Sequence, residues 1–142
     1  MPAIVRRSRG VVVAAISISM LFVPVAGTSA ASPEHRVKDW VCDYRWRHST
    51  HQIKKVIRCA TRRWHVPGGA AKALSVARCE SQFDPHAYGS GNAGVYQQAL
   101  GYWPGRARHY GFPGVSAYDG RANVIVSVRM AHAGGWDAWT CG

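Results

Sequence analysis

Four cysteines constrain the fold of this chain more than any other feature of its sequence. They stand at positions 42, 59, 79 and 141, well after an N-terminal segment that is typical of exported proteins. An even cysteine count in an exported chain is most simply explained by two disulfides, and three pairings are possible. We favour Cys42 with Cys59 and Cys79 with Cys141, because the second bond would fasten the C-terminal tail to a predicted helix.

The first 30 residues have the layout of a secretory signal peptide. Arginines at positions 6, 7 and 9 precede an uncharged stretch over residues 10–25, and small residues follow. The apolar stretch is shorter than the roughly 18 residues that are needed to cross a bilayer, so an uncleaved anchor is the weaker alternative. We expect cleavage after Ala30 or Ala31. The product would be a secreted or wall-associated monomer without a stable membrane anchor, long enough for one domain but not two.

The chain is strongly basic, with 18 Lys and Arg against 7 Asp and Glu and a formal net charge of +11. This balance indicates an anionic partner. An exported protein meets the cell wall first, so acidic wall polymers are expected ahead of nucleic acid, although most basic residues are expected simply to be solvated. No spacing of His and Cys fits a common zinc pattern, so we expect neither a metal nor a cofactor.

Apolar periodicity predicts three helices. The first covers about residues 49–65, begins at Ser49 or Thr50 and has a basic outer face. The second covers residues 69–80 and the third about 121–133. The sequence therefore predicts a small, mainly α fold.

Between the second and third helices, an Asp-Pro pair and several glycines predict a long Gly/Pro-rich loop or short hairpin over residues 81–105. A loop of this length in a small domain is usually functional. We divide the exported part into a basic extension with one helix, residues 31–66, and a domain, residues 67–142.

Glu80 is the residue for which the sequence most clearly predicts a chemical role. It ends the second predicted helix directly before the loop, and Ala73, Val76 and Ala77 fall on the same side of that helix. A carboxyl group that shares a buried face loses hydration, which disfavours its charged form and makes it a usable general acid near neutral pH. The alternative is a helix-end glutamate whose side chain turns into water.

Several motifs around Glu80 resemble those of the soluble lytic transglycosylase domain in the lysozyme-like superfamily. The resemblance covers about residues 67–141 and is nearest to small secreted forms such as the resuscitation-promoting factors. Order, spacing and shared cysteines make the combination more specific than each motif alone. The motifs are Cys79-Glu80-Ser81-x-Phe83-Asp84-Pro85-x-Ala87, Gly94-Val95-Tyr96-Gln97 and Gly135-Trp136-Asp137-Ala138-Trp139-Thr140-Cys141.

The resemblance implies a lysozyme-like fold and cleavage of the β-1,4 bond between N-acetylmuramic acid and N-acetylglucosamine in peptidoglycan glycan strands. Glu80 would protonate the leaving oxygen and then act as base while the muramoyl 6-hydroxyl closes a 1,6-anhydro ring. By the same matching, Gln97 would line the cleft and hydrogen-bond to sugar substituents, and Ser81 would support the site. Tyr96 would supply a stacking or hydroxyl contact to the sugar.

A single carboxylate suffices for that chemistry, whereas ordinary glycosidases need two at about 5 Å or about 6.5–9.5 Å. The other candidates are Asp84, Asp119 and Asp137, but an Asp-Pro turn explains Asp84 and helix capping explains Asp119. The segments at 98–101 and 132–134 depart from the family pattern, so hydrolysis and ring closure both remain open. The alternative function is a non-catalytic basic module on a lysozyme-like scaffold that binds cell wall or nucleic acid.

Overall fold

The computed structural model describes residue 37 and residues 39–142. The predicted signal peptide, residues 1–30, lies outside these residues, as does the start of the predicted extension. The described part is mainly helical with one small sheet, which confirms the predicted mainly α fold. Its elements are α1 (Thr50–Arg63), α2 (Gly69–Ser81), β1 (Tyr88–Gly89), β2 (Asn92–Ala93), β3 (Gln98–Ala99), α3 (Trp103–His109) and α4 (Gly120–Gly134), and a short 3-10 helix (Trp46–His48) precedes α1.

Helix α1 forms where the apolar spacing predicts it. Ser49 is the N-cap, and its side chain accepts a hydrogen bond from the Gln52 N–H. The apolar face of α1 is fully buried through Ile53, Val56 and Ile57, and the helix packs against both α4 and α2. Helix α1 therefore belongs to the same core as the residues that follow position 66, and it is an integral helix of the fold.

Helix α4 is buried on nearly all sides and forms the centre of the domain. The Asp119 side chain caps it by accepting from the Ala122 N–H at 2.8 Å, and the helix ends before Gly135. Its run of Val124, Ile125 and Val126 has no exposed surface. β-branched residues favour strands, but a helix that is buried on nearly all sides is stabilised by the protein around it.

The segment after α2 is a three-stranded antiparallel sheet followed by a helix. Strand β1 pairs with β2 through Tyr88 and Ala93, and β2 pairs with β3 through Ala93 and Gln98. Of the two predicted alternatives, the structure has the short hairpin, extended by a third strand. Helix α3 was not predicted. Pro104 lies in its first turn, where the missing proline N–H costs no intrahelical hydrogen bond.

Both favoured disulfides are present. Cys42–Cys59 joins the segment before α1 to the second half of that helix, with 5.6 Å between the Cα atoms. Cys79–Cys141 joins the C-terminal tail to the last turn of α2, with 6.1 Å between the Cα atoms. Within the described residues, no helix has the length and apolar character that crossing a membrane requires.

Candidate active site

Glu80 lies in the last turn of α2, at the point where the backbone reverses direction. Gln82 and Phe83 both adopt left-handed conformations, with φ of 55° and 70°. The Phe83 N–H donates to the Ala77 carbonyl at 3.3 Å, which closes the end of the helix. Left-handed backbone at a non-glycine residue costs about 1–2 kcal/mol, and burial of the Phe83 side chain, which is 5% exposed, offsets part of that cost. This sharp helix end places Glu80 beside the sheet.

The Glu80 side chain lines a groove of about 170 Å³ between the sheet, α3, α4 and the C-terminal tail. The polar residues that line the groove are Glu80, Asn92, Gln97, Gln98, Arg106 and Thr140. Two aromatic residues, Tyr102 and Trp139, also contribute to its walls. The structure therefore brings the two predicted residues Glu80 and Gln97 into one groove.

A larger groove, of about 520 Å³, lies between residues 40–44 and the end of α1. Its walls include the Cys42–Cys59 disulfide and the side chains of Arg62 and Arg63, but none of the predicted catalytic or substrate-binding residues. We place the candidate active site in the smaller groove because the carboxyl group and the amides lie there.

The Glu80 carboxyl group is half-buried and weakly held. The Cys141 N–H donates to Glu80 Oε1 over 3.4 Å, a distance beyond the usual range for such bonds. In the part of the chain that the structure describes, the one ion pair joins Arg47 and Asp119, so Glu80 has no cationic partner there.

The Gln97 side chain is held in place by two hydrogen bonds from its amide nitrogen. Its backbone is left-handed, with φ of 45°, and its Nε2 donates to the carbonyl oxygens of Gly94 at 3.0 Å and Ala87 at 3.3 Å. The Gln97 Oε1 accepts no hydrogen bond from the described residues. The side chain lines the groove, and an amide oxygen is a group that can accept from an amide or hydroxyl group of a ligand.

Ser81 connects the end of α2 to the segment that precedes Gln97. Its Oγ donates to the Val95 carbonyl at 2.7 Å, and Val95 is fully buried. This contact fixes the end of α2 against the loop that carries Tyr96 and Gln97. Ser81 itself is not among the residues that line the groove.

Tyr96 lies in the core, not in the groove. It has no exposed surface, its hydroxyl donates to the Ala73 carbonyl at 2.9 Å, and burial raises its pKa far above the ordinary value for tyrosine. Its ring packs against Trp136 and Trp139, with centroid distances of 5.8 and 6.2 Å. We therefore omit Tyr96 from the residues that would contact a sugar.

The C-terminal tail forms one wall of the groove. Trp139 Nε1 donates to the Tyr96 carbonyl at 2.9 Å, and Trp136 Nε1 donates to the Pro67 carbonyl at 3.0 Å. The Cys79–Cys141 disulfide holds the end of the tail next to Glu80. Two indole hydrogen bonds and a covalent link thus fix the position of this wall.

Sequence reasoning missed the polar network at the α3 side of the groove. Arg106 Nη1 donates to Gln98 Oε1 at 2.8 Å, and Gln98 Nε2 donates to Ser127 Oγ at 2.8 Å. The Arg106 guanidinium also lies 5.3 Å from the centre of the Tyr102 ring. These contacts join β3, α3 and α4. No local pattern signals them, because Arg106 is one of many basic residues in the sequence.

No second carboxyl group lines the groove among the described residues. The Asp84 side chain accepts from the His86 N–H at 2.8 Å, as an Asp-Pro turn predicts. Asp119 caps α4, and Asp137 is exposed outside the groove. The groove thus holds one half-buried acid together with amide, guanidinium and aromatic groups.

No protein-family model, curated protein or solved structure matches this chain. What the protein does must therefore be inferred from the groove and from the motifs around it.

Proposed function

We propose that this protein is a secreted enzyme with a lysozyme-like domain that cleaves peptidoglycan. It breaks the β-1,4 bond between N-acetylmuramic acid and N-acetylglucosamine, and Glu80 is its single acid and base. The observation that carries the proposal is a half-buried carboxyl group without an ion-pair partner, in a groove that has no second acid among the described residues. The choice of peptidoglycan as the substrate comes from the resemblance of the surrounding motifs to those of lytic transglycosylases.

The reaction needs only one titrating group. Protonated Glu80 donates its proton to the glycosidic oxygen while the bond from the muramoyl C1 to that oxygen breaks, and the N-acetylglucosamine hydroxyl leaves. The Glu80 carboxylate then takes a proton from the attacking oxygen, either the muramoyl 6-hydroxyl or a water molecule, as that oxygen bonds to C1. Glu80 is thereby returned to its acid form.

The other groove residues fit a sugar ligand. Gln97 Oε1 can accept from an N-acetyl N–H or a hydroxyl group, and Arg106 can donate to acceptor oxygens. Tyr102 is 69% exposed and presents an aromatic face, on which the apolar C–H face of a sugar ring can stack. The groove thus offers polar contacts beside an aromatic surface, as glycan binding requires.

The proposal is tested by incubating purified cell walls with wild-type protein, with Glu80→Gln and with Asp137→Asn, and by mass spectrometry of the released muropeptides. We expect wild type and Asp137→Asn to release products at similar rates, and Glu80→Gln to be slower by about 100-fold or more. The end groups of the products distinguish ring closure from hydrolysis.

Two results would reject the proposal that the protein is an enzyme. In one, Glu80→Gln releases products as fast as wild type. In the other, walls bind all three proteins and none is cleaved, which would instead support a non-catalytic wall-binding module.

A further inference from the structure

The solvent face of α1 carries a row of basic side chains that the proposed reaction does not use. His51, Lys55, Arg58 and Arg62 are separated by four, three and four residues, so they lie on one side of the helix. The buried side chains of Ile53, Val56 and Ile57 lie on the opposite side. We call these four basic residues the α1 basic row. It extends over about 16 Å, at a rise of about 1.5 Å per residue.

The α1 basic row has no acidic counterpart in the described structure. Helix α1 contains five Lys and Arg residues and no Asp or Glu, and none of its basic residues takes part in the one ion pair of the described residues. The neighbouring Lys54 and Arg63 lie over the rings of Phe83 and Trp64 instead. Within the row, His51, Arg58 and Arg62 are exposed and Lys55 is half-buried. Lys55, Arg58 and Arg62 therefore form a positive surface along this side of the helix.

The spacing within the row is unfavourable for the helix itself. Like charges four residues apart, such as Arg58 and Arg62, destabilise an isolated helix, and the first turn has no acidic residue to complement the helix dipole. Only Arg62 and Arg63, in the last turn, complement that dipole. A helix face that only kept the protein soluble would more usually alternate acidic and basic residues. A local rule that is broken in this way, without a compensating ion pair among the described residues, indicates a surface that is used for binding.

Helix α1 also holds the backbone that carries these side chains in a fixed position. Its opposite face is locked into the core against α4 and α2, and the Cys42–Cys59 disulfide closes its second half next to Arg58 and Arg62. Side chains on a fixed backbone lose less conformational freedom when they bind than side chains on a flexible tail, because the backbone is already ordered. The row is thus preorganised to contact several anionic groups along one extended chain.

We infer that the α1 basic row is a docking surface for an anionic, phosphate-bearing polymer of the cell wall. The choice of a wall polymer rests on the proposed function, since a peptidoglycan-cleaving protein works where such polymers are attached to its substrate. Docking along α1 would hold the protein on the wall between cleavage events. The electrostatic attraction falls as salt is raised, because binding releases the counterions that were condensed on the polymer.

The test measures binding to purified walls that carry polyol-phosphate polymers, compared with walls from which hydrofluoric acid has removed the phosphodiesters. All proteins carry Glu80→Gln, so that cleavage through Glu80 cannot alter the walls and every variant is compared in the same background. The row variant combines Lys55→Gln, Arg58→Gln and Arg62→Gln. The matched control removes the same charge elsewhere with Lys72→Gln, Arg78→Gln and Arg108→Gln.

We expect the Glu80→Gln parent to bind untreated walls more tightly than stripped walls. The row variant should lose at least about tenfold in affinity at about 0.1 M salt, and the slope of log affinity against log salt should become shallower by about two, at roughly 0.7 per lost phosphate contact. The control should lose less than about threefold. Exchange of Lys for Arg and of Arg for Lys at the same three positions should restore binding, which excludes misfolding as the cause of the loss.

Equal losses in the row variant and the control would overturn the inference, as would equal binding to stripped and untreated walls. A failure of the charge-preserving exchange to restore binding would overturn it as well. Tighter binding to a single-stranded DNA oligonucleotide than to walls, at equal phosphate concentration, would assign the row to nucleic acid instead. None of these results bears on whether Glu80 cleaves the glycan.

Discussion

Replacement of Gly94 by Ala should destabilise the protein far more than replacement of Gly91. Both glycines are left-handed, with φ of 79° and 81°. A Cβ at Gly91 would meet no heavy atom within 4 Å, whereas a Cβ at Gly94 would lie 2.4 Å from Asn123 Nδ2 and 2.5 Å from the Ala117 carbonyl oxygen. The two positions thus share the backbone cost and differ in the space around them.

The magnitudes follow from these contacts. At Gly91, left-handed alanine costs about 1–2 kcal/mol, and the reduced entropy of the unfolded chain offsets about 0.4–1 kcal/mol of that cost. At Gly94 the Asn123 side chain must also move. Asn123 is fully buried, donates to the carbonyls of Ala93 and Ala117, and accepts from the Tyr96 N–H. Each buried polar group left without a partner costs about 1–3 kcal/mol, so we expect about 3–5 kcal/mol at Gly94 and about 1 kcal/mol at Gly91.

The assay is urea unfolding of wild type, Gly91→Ala and Gly94→Ala, with both disulfides intact, followed by tryptophan fluorescence. The free energies of unfolding should separate the two variants by at least about 2 kcal/mol. Near-equal losses in the two variants would refute the reasoning. They would mean that Asn123 does not hold the segment before Gln97 against α4 as the structure shows.

Two further predictions concern the disulfides and the buried tyrosine. Replacement of Cys79 and Cys141 by Ser opens a 62-residue loop and should lower the free energy of unfolding by about 4 kcal/mol. Replacement of Cys42 and Cys59 opens a 17-residue loop and should lower it by about 3 kcal/mol. Urea unfolding that ranks the two variants in the reverse order would contradict this prediction. Burial raises the pKa of Tyr96, so the unfolded chain loses the Tyr96 proton more readily than the folded protein does. The stability that the buried neutral phenol provides is therefore fully present below the unfolded-state pKa of about 10. It is lost above that pH at about 1.4 kcal/mol per pH unit. The free energy of unfolding should therefore fall less steeply with pH in Tyr96→Phe than in wild type. In Tyr102→Phe the slope should be unchanged, because the Tyr102 side chain is 69% exposed. Equal slopes in all three proteins would be evidence against the burial of Tyr96.

Local patterns in the sequence predicted the long helices well. Helices α1, α2 and α4 combine apolar spacing with a recognisable boundary, such as the Ser49 cap of α1 or the Asp119 cap of α4. Helix α3 has only seven residues, two of which are Pro104 and Gly105, so its propensity is poor and its stability must come from packing. A single-sequence pattern carries no information about that packing.

The candidate site was predictable where helical periodicity determines which way a side chain points, and less predictable in irregular segments. Glu80 is half-buried at the end of the apolar face that Ala73 and Val76 define, as periodicity indicated. Tyr96 and Gln97 are adjacent in an irregular segment, where no period shows which side chain turns inward. The contact of Arg106 with Gln98, and that of Gln98 with Ser127, depend on three elements brought together by folding.

We propose that Glu80 performs the chemistry and contributes little to glycan binding. The most direct test measures both quantities on one soluble, undecorated peptidoglycan glycan oligomer: turnover by chromatography and affinity by calorimetry, for wild type and Glu80→Gln. We predict that the substitution lowers turnover by about 100-fold or more while the Kd changes by less than about threefold. Unchanged turnover in Glu80→Gln, or a loss of turnover that is fully matched by a loss of binding, would contradict the assignment of Glu80 as the proton donor.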